Sequence, residues 1–486
     1  MNDLFDILPV EMQDKRLALV YELNKSNQVS VKTPVGLSEQ FSCDEIVLQG
    51  GGWGPIQCSV SIDKLGRICT KNQQHMYHYK NKVSVVPLAM IDDLLAIAPC
   101  GLESVAVNTF INVHIEMKKL TFHMTDKNNK SKCHKIHVGK ENGHCPILKV
   151  HGTIMPSASH DTYLGDIISS DGKNRLNLDN RVSKGRGKVA EIIGMISKLS
   201  LGKHFFKIAI LLRETLFLSS VLTNSEVWYR LSQADLNEIE ALDRNLLVRI
   251  SSLPSSTPSA ALYLELGCMR IRTIIKARRV NYLHYLLTLD RKEMLSRFFW
   301  CQWSENKKHD WTYQVRQDLA DLSLPLDLNI IKSKSKFGWK NLVKQKARLF
   351  EVQELSRENT NKSKTCKLKY NKLQMQRYLI DLISVEAKIV LKYRLRMSQY
   401  SGNFKGGRPT LRCPLCGNHD DEQDLSFGCQ KVITGINNNS VYEDIFQTKV
   451  TKSVVDKLIA IEKLRADSSV SSPAGTPSVH QPLTLS

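Results

Sequence analysis

The chain has 486 residues, 42% hydrophobic and 7% aromatic, with 68 Lys and Arg against 48 Asp and Glu, a net charge of +20. Such an apolar share is enough to bury cores and argues against wholesale disorder. No apolar run reaches the roughly 18–20 residues of a membrane-spanning helix, and the opening Met1-Asn2-Asp3-Leu4-Phe5-Asp6 lacks a signal-peptide pattern. Secreted and membrane classes are thereby disfavoured, and the expected location is nuclear or cytoplasmic. A cationic surplus of this size points to a polyanion, with RNA and DNA the default partners.

Residues 1–172 read as mixed α and β. Met12 to Leu23 has helical spacing, and Val29 to Val35 alternates as a strand does. Gln49-Gly-Gly-Gly-Trp-Gly-Pro55 is a loop, since consecutive glycines hold no regular element cheaply. Val83 to Ile91 and Leu94 to Ala98 are apolar runs on either side of Asp92-Asp93, the pattern of two strands joined by a tight acidic turn. Leu164 to Ser170 is a further strand, ended by the turn dipeptide Asp171-Gly172.

From 173 the pattern becomes helical. Val189 to Leu222 suits a core helix pair. Ser232 followed by Asp235 resembles a capping box, and Leu236, Ile239, Leu242, Leu246, Leu247 and Ile250 then recur at helical spacing. Leu253-Pro-Ser-Ser-Thr-Pro258 breaks the helices. The net charge is concentrated here. Residues 173–213 hold ten Lys or Arg against two acids, and residues 332–377 hold fourteen against three. Basic helices of this kind track phosphates and release counterions on binding. Lys332, Lys334, Lys336, Lys344, Lys346 and Arg348 also suit a nuclear import signal. Nine of the twelve cysteines are scattered, whereas Cys413, Cys416 and Cys429 cluster. That usage suits a reducing compartment with one metal site.

Three features carry possible chemistry. Asp92 and Asp93 are like charges between apolar strands, a placement that a divalent cation such as Mg²⁺ would neutralise. Gly50, Gly51, Gly52 and Gly54 permit close backbone approach to a ligand, with Trp53 as a stacking face, but no Gly-Lys-Ser/Thr follows to make a phosphate loop. Cys413-Pro-Leu-Cys416 is a zinc half-site, completed by Cys429 and by either Asp424 or His419.

Gln49-Gly50 with Gly54-Pro55, Ala89-Met90-Ile91-Asp92-Asp93, Lys118-Lys119-Leu120 with Lys132-Cys133, and Tyr163-Leu164-Gly165 follow one another in this order. The set resembles the palm of non-LTR (LINE-type) retrotransposon reverse transcriptases, and the cysteine cluster resembles the zinc knuckle that often follows their thumb. The resemblance spans roughly residues 10–430. It implies RNA-directed DNA synthesis, with Asp92 and Asp93 catalytic and Asp92 holding Mg²⁺. It makes Gln49, Gly50, Gly54 and Pro55 the nucleotide and template contacts, and Tyr163, Leu164 and Gly165 a primer grip. Met90 and Ile91 replace the family's aromatic and Ala. Asp424 stands where the knuckle has His. The Asp-x-x-x-x-Phe/Tyr-Asp strand that supplies the third carboxylate of a two-metal site is not found before Gln49.

The expected class is therefore α+β. A partial palm occupies 1–172, a helical thumb 173–300, a basic helical region 301–405, a knuckle-like module 406–450 and a C-terminal segment with a disordered tail 451–486. The chain is expected to begin mid-palm and to be catalytically incomplete. Two alternatives stay open: a non-catalytic RNA- and DNA-binding remnant, and a basic helical protein with no nucleic-acid role.

Overall fold

The computed structural model describes residues 28–42, 65–117, 131–138, 146–423, 427–436, 445–446 and 450–470, with short breaks inside these stretches, among them 91–92 and 405–410. The expected helix at 12–23 and the Gln49–Pro55 loop lie outside the described residues. The fold is mixed α+β, with many helices and small two-stranded antiparallel sheets. Among the described residues no helix is long and apolar enough to cross a membrane. The chain groups into two compact units, residues 1–177 with 289–305, and residues 178–288 with 306–486. The second unit holds both the basic region and the cysteine module, together with the helices of 178–288.

Among its described residues the first unit holds twelve short strands paired as hairpins or small ladders. β1 (Gln28–Val29) pairs with β4 (Phe41–Ser42), and β2 (Lys32–Thr33) with β3 (Gly36–Leu37), so the expected strand at 29–35 is split between two ladders. β5 (Tyr77–Tyr79) pairs with β6 (Val83–Val85), and β7 (Leu88–Met90) with β8 (Asp93–Leu95). The expected strand at 83–91 is thus two strands in two hairpins. Pro87 lies between them, and a proline cannot donate to a ladder. Helix α1 (Leu102–Met117) follows, and it packs against the cluster of Leu65, Cys69 and Met76 through Val107.

β9 (Lys149–Val150) pairs with β10 (Thr153–Ile154), and β11 (His160–Tyr163) with β12 (Asp166–Ser169). The β11–β12 register, Tyr163 opposite Asp166, leaves Leu164 and Gly165 as a two-residue turn with φ 50° and 83°. Two positive φ values make it type I′, whose twist matches that of the flanking strands. The strand expected from Leu164 therefore begins at Asp166.

The helices continue with α2 (Arg175–Lys198), α3 (Phe205–Leu212), α4 (Leu218–Val221), α5 (Gln233–Ile250), α6 (Ser259–Leu266), α7 (Ile271–Thr288) and α8 (Met294–Glu305, in the first unit). A π-helical turn, Arg213–Phe217, joins α3 to α4. Ser232 and Asp235 cap α5 reciprocally, as their spacing predicts. After α8 come α9 (Trp311–Asp321), α10 (Leu328–Ser333), α11 (Lys336–Thr360), α12 (Tyr378–Asp381), α13 (Ser384–Arg394), α14 (Gln430–Ile436) and α15 (Lys452–Val470).

The core of the second unit centres on α6, whose residues Ala260 to Leu266 are all buried. A helix covered on every side must neutralise any charge it carries. Glu265 is accordingly met by Arg394 Nε at 2.8 Å, Tyr378 Oη at 2.7 Å and Tyr370 Oη. Gly267 ends α6 with φ +67°, and a Cβ there would lie 2.2 Å from the backbone nitrogen of Met375, so only glycine fits. Arg213 forks onto Asp243 at 2.6 and 2.7 Å and also donates to the Met269 carbonyl at 2.9 Å, while Tyr263 Oη donates to the same carboxylate at 2.8 Å. Such an arrangement satisfies a buried ion pair rather than leaving it bare.

Candidate metal centre and basic helix

The cysteine module is built by a chain reversal. The Cys413 N–H donates to the His419 carbonyl at 2.8 Å, and the Gly417 N–H donates to the Cys413 carbonyl at 2.9 Å. Gly417 takes φ +70°, which lets the loop turn back within a few residues. An antiparallel bridge between Arg412 and Asp420 closes its base. Cys429 enters from the other side, immediately before α14, and Val432 and Ile461 pack with Cys413 and Cys429 in one small core. Helix α15, which carries Ile461, thus forms the back of the module.

This path brings Cys413, Cys416, His419 and Cys429 together, with one ligand atom from each lying within 4.8 Å of the others. Three sulfurs and one imidazole are a donor set that binds zinc in tetrahedral sites. Two observations fit a cation. His419 Nε2 is buried with no hydrogen-bond partner, while Nδ1 is fixed by the Asp420 carbonyl at 2.8 Å, so the ring is oriented with its second nitrogen free to ligate. The Cys416 thiol is pulled down to about 7, chiefly by the backbone N–H of Asn418, with further help from the neighbouring thiols and His419. A thiol so lowered reaches the ligating thiolate form near neutral pH. Cys429 is pushed the other way by burial. The cluster can bind zinc. Of the two fourth ligands left open by the sequence, His419 is in place, and Asp424 lies outside the described residues.

The residues named by the reverse-transcriptase resemblance are described only in part. Gln49, Gly50, Gly54, Pro55, Lys118, Lys119, Leu120 and Asp92 lie outside the described residues. Asp93 is exposed at the start of β8. Tyr163, Leu164 and Gly165 form the end of β11 and its turn, and Tyr163 Oη donates to the Leu88 carbonyl of β7 at 3.3 Å. The phenol is raised above its ordinary value by burial and then by the Asp93 charge. The acidic hairpin and the Tyr-Leu-Gly turn, 70 residues apart in the chain (93 to 163), are therefore neighbours. One pairing had no signal in the spacing: His134 Nδ1 lies 2.6 Å from Asp161 Oδ2.

The two basic windows differ in how much charge they leave at the surface. In 173–213, Arg181 and Arg213 are buried, and Arg213 is consumed by Asp243. In the second window, α11 buries Trp339, Val343, Ala347, Glu351 and Leu355. It exposes Lys336, Lys340, Lys344 and Arg348, one cation every four residues. None of these four has an ion-pair partner among the described residues. Ser335 caps the helix by accepting from the Gly338 N–H at 3.1 Å, so the basic row starts in its first turn.

No protein-family model matches the chain, and no curated protein is similar enough to be counted a relative.

Proposed function

We propose that this protein binds nucleic acid through α11 and the cysteine module, in the manner of a polypeptide of the non-LTR reverse-transcriptase type. The observation that carries the reading is the uncompensated row Lys336, Lys340, Lys344 and Arg348. Unpaired cations on one rigid helix offer phosphates a set of charges without the penalty of first breaking ion pairs. The Cys413–Cys416–His419–Cys429 cluster supports it, since small zinc-knuckle modules recognise single-stranded RNA. The partners are RNA and DNA, and zinc is the structural ion.

The test is fluorescence anisotropy with a labelled single-stranded RNA and an RNA–DNA duplex over a range of salt. Affinity should fall steeply with salt. Neutralising the four cations to Gln should shallow the single-strand log–log slope by about 0.7 for each phosphate that the helix no longer neutralises. Binding that is indifferent to salt, or unchanged by the fourfold substitution, defeats the proposal.

A second reading, RNA-directed DNA polymerisation with Mg²⁺ at Asp92 and Asp93, is favoured by the nearness of Tyr163 to Asp93. Two-metal transfer also needs a carboxylate from another strand, so binding without catalysis is the preferred reading. Mg²⁺-dependent primer extension that is abolished by Asp92→Ala would reverse that preference.

A further inference from the structure

Within the first unit, the β5–β6 hairpin and α8 are locked together face to face. The Tyr79 ring stacks on Phe298 at 4.1 Å between centroids. Lys80, in the left-handed region at φ 50°, turns the hairpin and pairs with Glu305. Arg297 Nη2 donates to the Lys82 carbonyl at 2.8 Å. Three ties of different chemistry at one junction make its geometry rigid.

Beside this junction lies an open cleft of about 470 Å³, lined by Lys82, Val83, Arg291, Arg297, Trp300 and Cys301. Its volume falls within the range of small-ligand sites. Its charge is one-sided, with three cations and no carboxylate in the lining. Of the nearby acids, Glu305 is held by Lys80 and also lies 3.9 Å from Lys82 Nζ, Glu293 Oε1 accepts from the Asp290 N–H at 3.4 Å, and Asp290 Oδ1 accepts from the Lys292 N–H at 2.8 Å. The Lys82 side chain stays 62% exposed in that loose pair, so a phosphate can compete for it. The Arg291 guanidinium lies 3.6 Å from the Trp300 ring centroid, so the cleft has a flat wall made of a planar cation on an indole. Arg297 is oriented by its bond to the Lys82 carbonyl, which leaves its remaining N–H donors for a ligand.

We infer that this cleft binds one nucleotide unit, with its phosphate between Lys82 and Arg297 and its base stacked on the Arg291–Trp300 step. Planar guanidinium groups match phosphate oxygens in pairs, and bases stack on indole and guanidinium planes without regard to sequence. A bare anion would leave the flat wall unused, and an uncharged aromatic would leave the cationic lining unused. The phosphate can come from a free mononucleotide or from a nucleic-acid strand. The site is made by α8, the turn just before it and the β5–β6 hairpin, so it stands independently of α11 and the cysteine module.

Photocrosslinking of the full chain tests it, using 5-iododeoxyuridine monophosphate in one arm and a short oligothymidylate carrying the same base in the other. Each arm is repeated in the chain whose α11 cations are changed to Gln, so that loss of binding at α11 does not mask the cleft. The expected adduct is on the tryptic peptide Phe298–Lys307. Adduct from the mononucleotide alone assigns a free nucleotide, and adduct from the oligonucleotide in either chain assigns a strand. Lys82→Gln with Arg291→Gln should cut the adduct about tenfold, with an unchanged circular dichroism spectrum, because both side chains are at the surface. Arg297 is left intact because it also holds the hairpin. Absence of adduct on this peptide in both arms, or adduct undiminished by the double substitution, overturns the inference.

Discussion

Tyr163 donates its phenolic hydrogen to the main-chain carbonyl of Leu88, 75 residues earlier. This bond fastens the type I′ turn at Leu164-Gly165 to the acidic β7–β8 hairpin. Tyr163→Phe deletes one hydrogen bond and is expected to cost about 1 kcal/mol. The effect should be local: amide exchange in β7 and β8 should quicken, while that of α5–α7 stays unchanged. Unaltered exchange in the hairpin would show that the bond has no mechanical role.

Removal of zinc has a different reach. With Cys413 and Cys429 sharing a small core with Ile461, loss of the ion should loosen α15 as well as the loop. Purified protein is expected to hold one zinc per chain, and chelation should expose the α15 amides to exchange. In the cobalt-substituted protein, His419→Ala should change the ligand-field spectrum and weaken the metal tenfold or more, and Asp424→Ala should do neither. The converse result would place oxygen rather than nitrogen in the fourth position.

Asp243 is wholly buried and balances Arg213. Asp243→Asn leaves that guanidinium uncompensated, a change expected to cost about 3–5 kcal/mol. Replacing both partners with apolar residues of similar volume, Arg213→Met with Asp243→Leu, should cost less than the single substitution. Urea denaturation of the two variants makes the comparison. Equal losses would mean that packing, not charge, dominates the site.

High pH should unfold the second unit cooperatively. Burial pushes the phenols of Tyr263 and Tyr378 well above the usual tyrosine value, and the carboxylates of Asp243 and Glu265 add to this. Because the folded-state value lies above that of the unfolded chain, the native state keeps protons that the unfolded state gives up once pH exceeds about 10. Stability is therefore intact below that point and falls as pH rises beyond it. Absorbance at the phenolate band should appear in step with loss of helical circular dichroism. Smooth ionisation of all the tyrosines without unfolding would contradict it.

Local signals carried more of this fold than distant ones did. The Ser232–Asp235 cap and the break at Leu253–Pro258 are decided by chemistry a few residues wide, and both stand where the spacing puts them. The strand at 83–91 was unreadable as two because apolar content does not report which partner each half pairs with, whereas Pro87 marks the division. At the cysteine module, the family spacing pointed to Asp424 and bare proximity to His419. What brings the imidazole in is a turn at Gly417 and a bridge between Arg412 and Asp420, neither of which has a periodic signature. The Arg291–Trp300 step was likewise invisible, since its Lys82 wall is more than two hundred residues away in the chain.

The row of cations on α11 has a handedness. An α-helix turns about 100° and rises about 1.5 Å per residue, so each step of four residues advances about 6 Å and swings about 40° around the axis. From Lys336 to Arg348 the row therefore climbs roughly 18 Å while swinging through roughly 120°. A straight polyanion laid parallel to the helix would meet the first pair and miss the last. Only one that crosses obliquely, or that is itself curved, can touch all four at once.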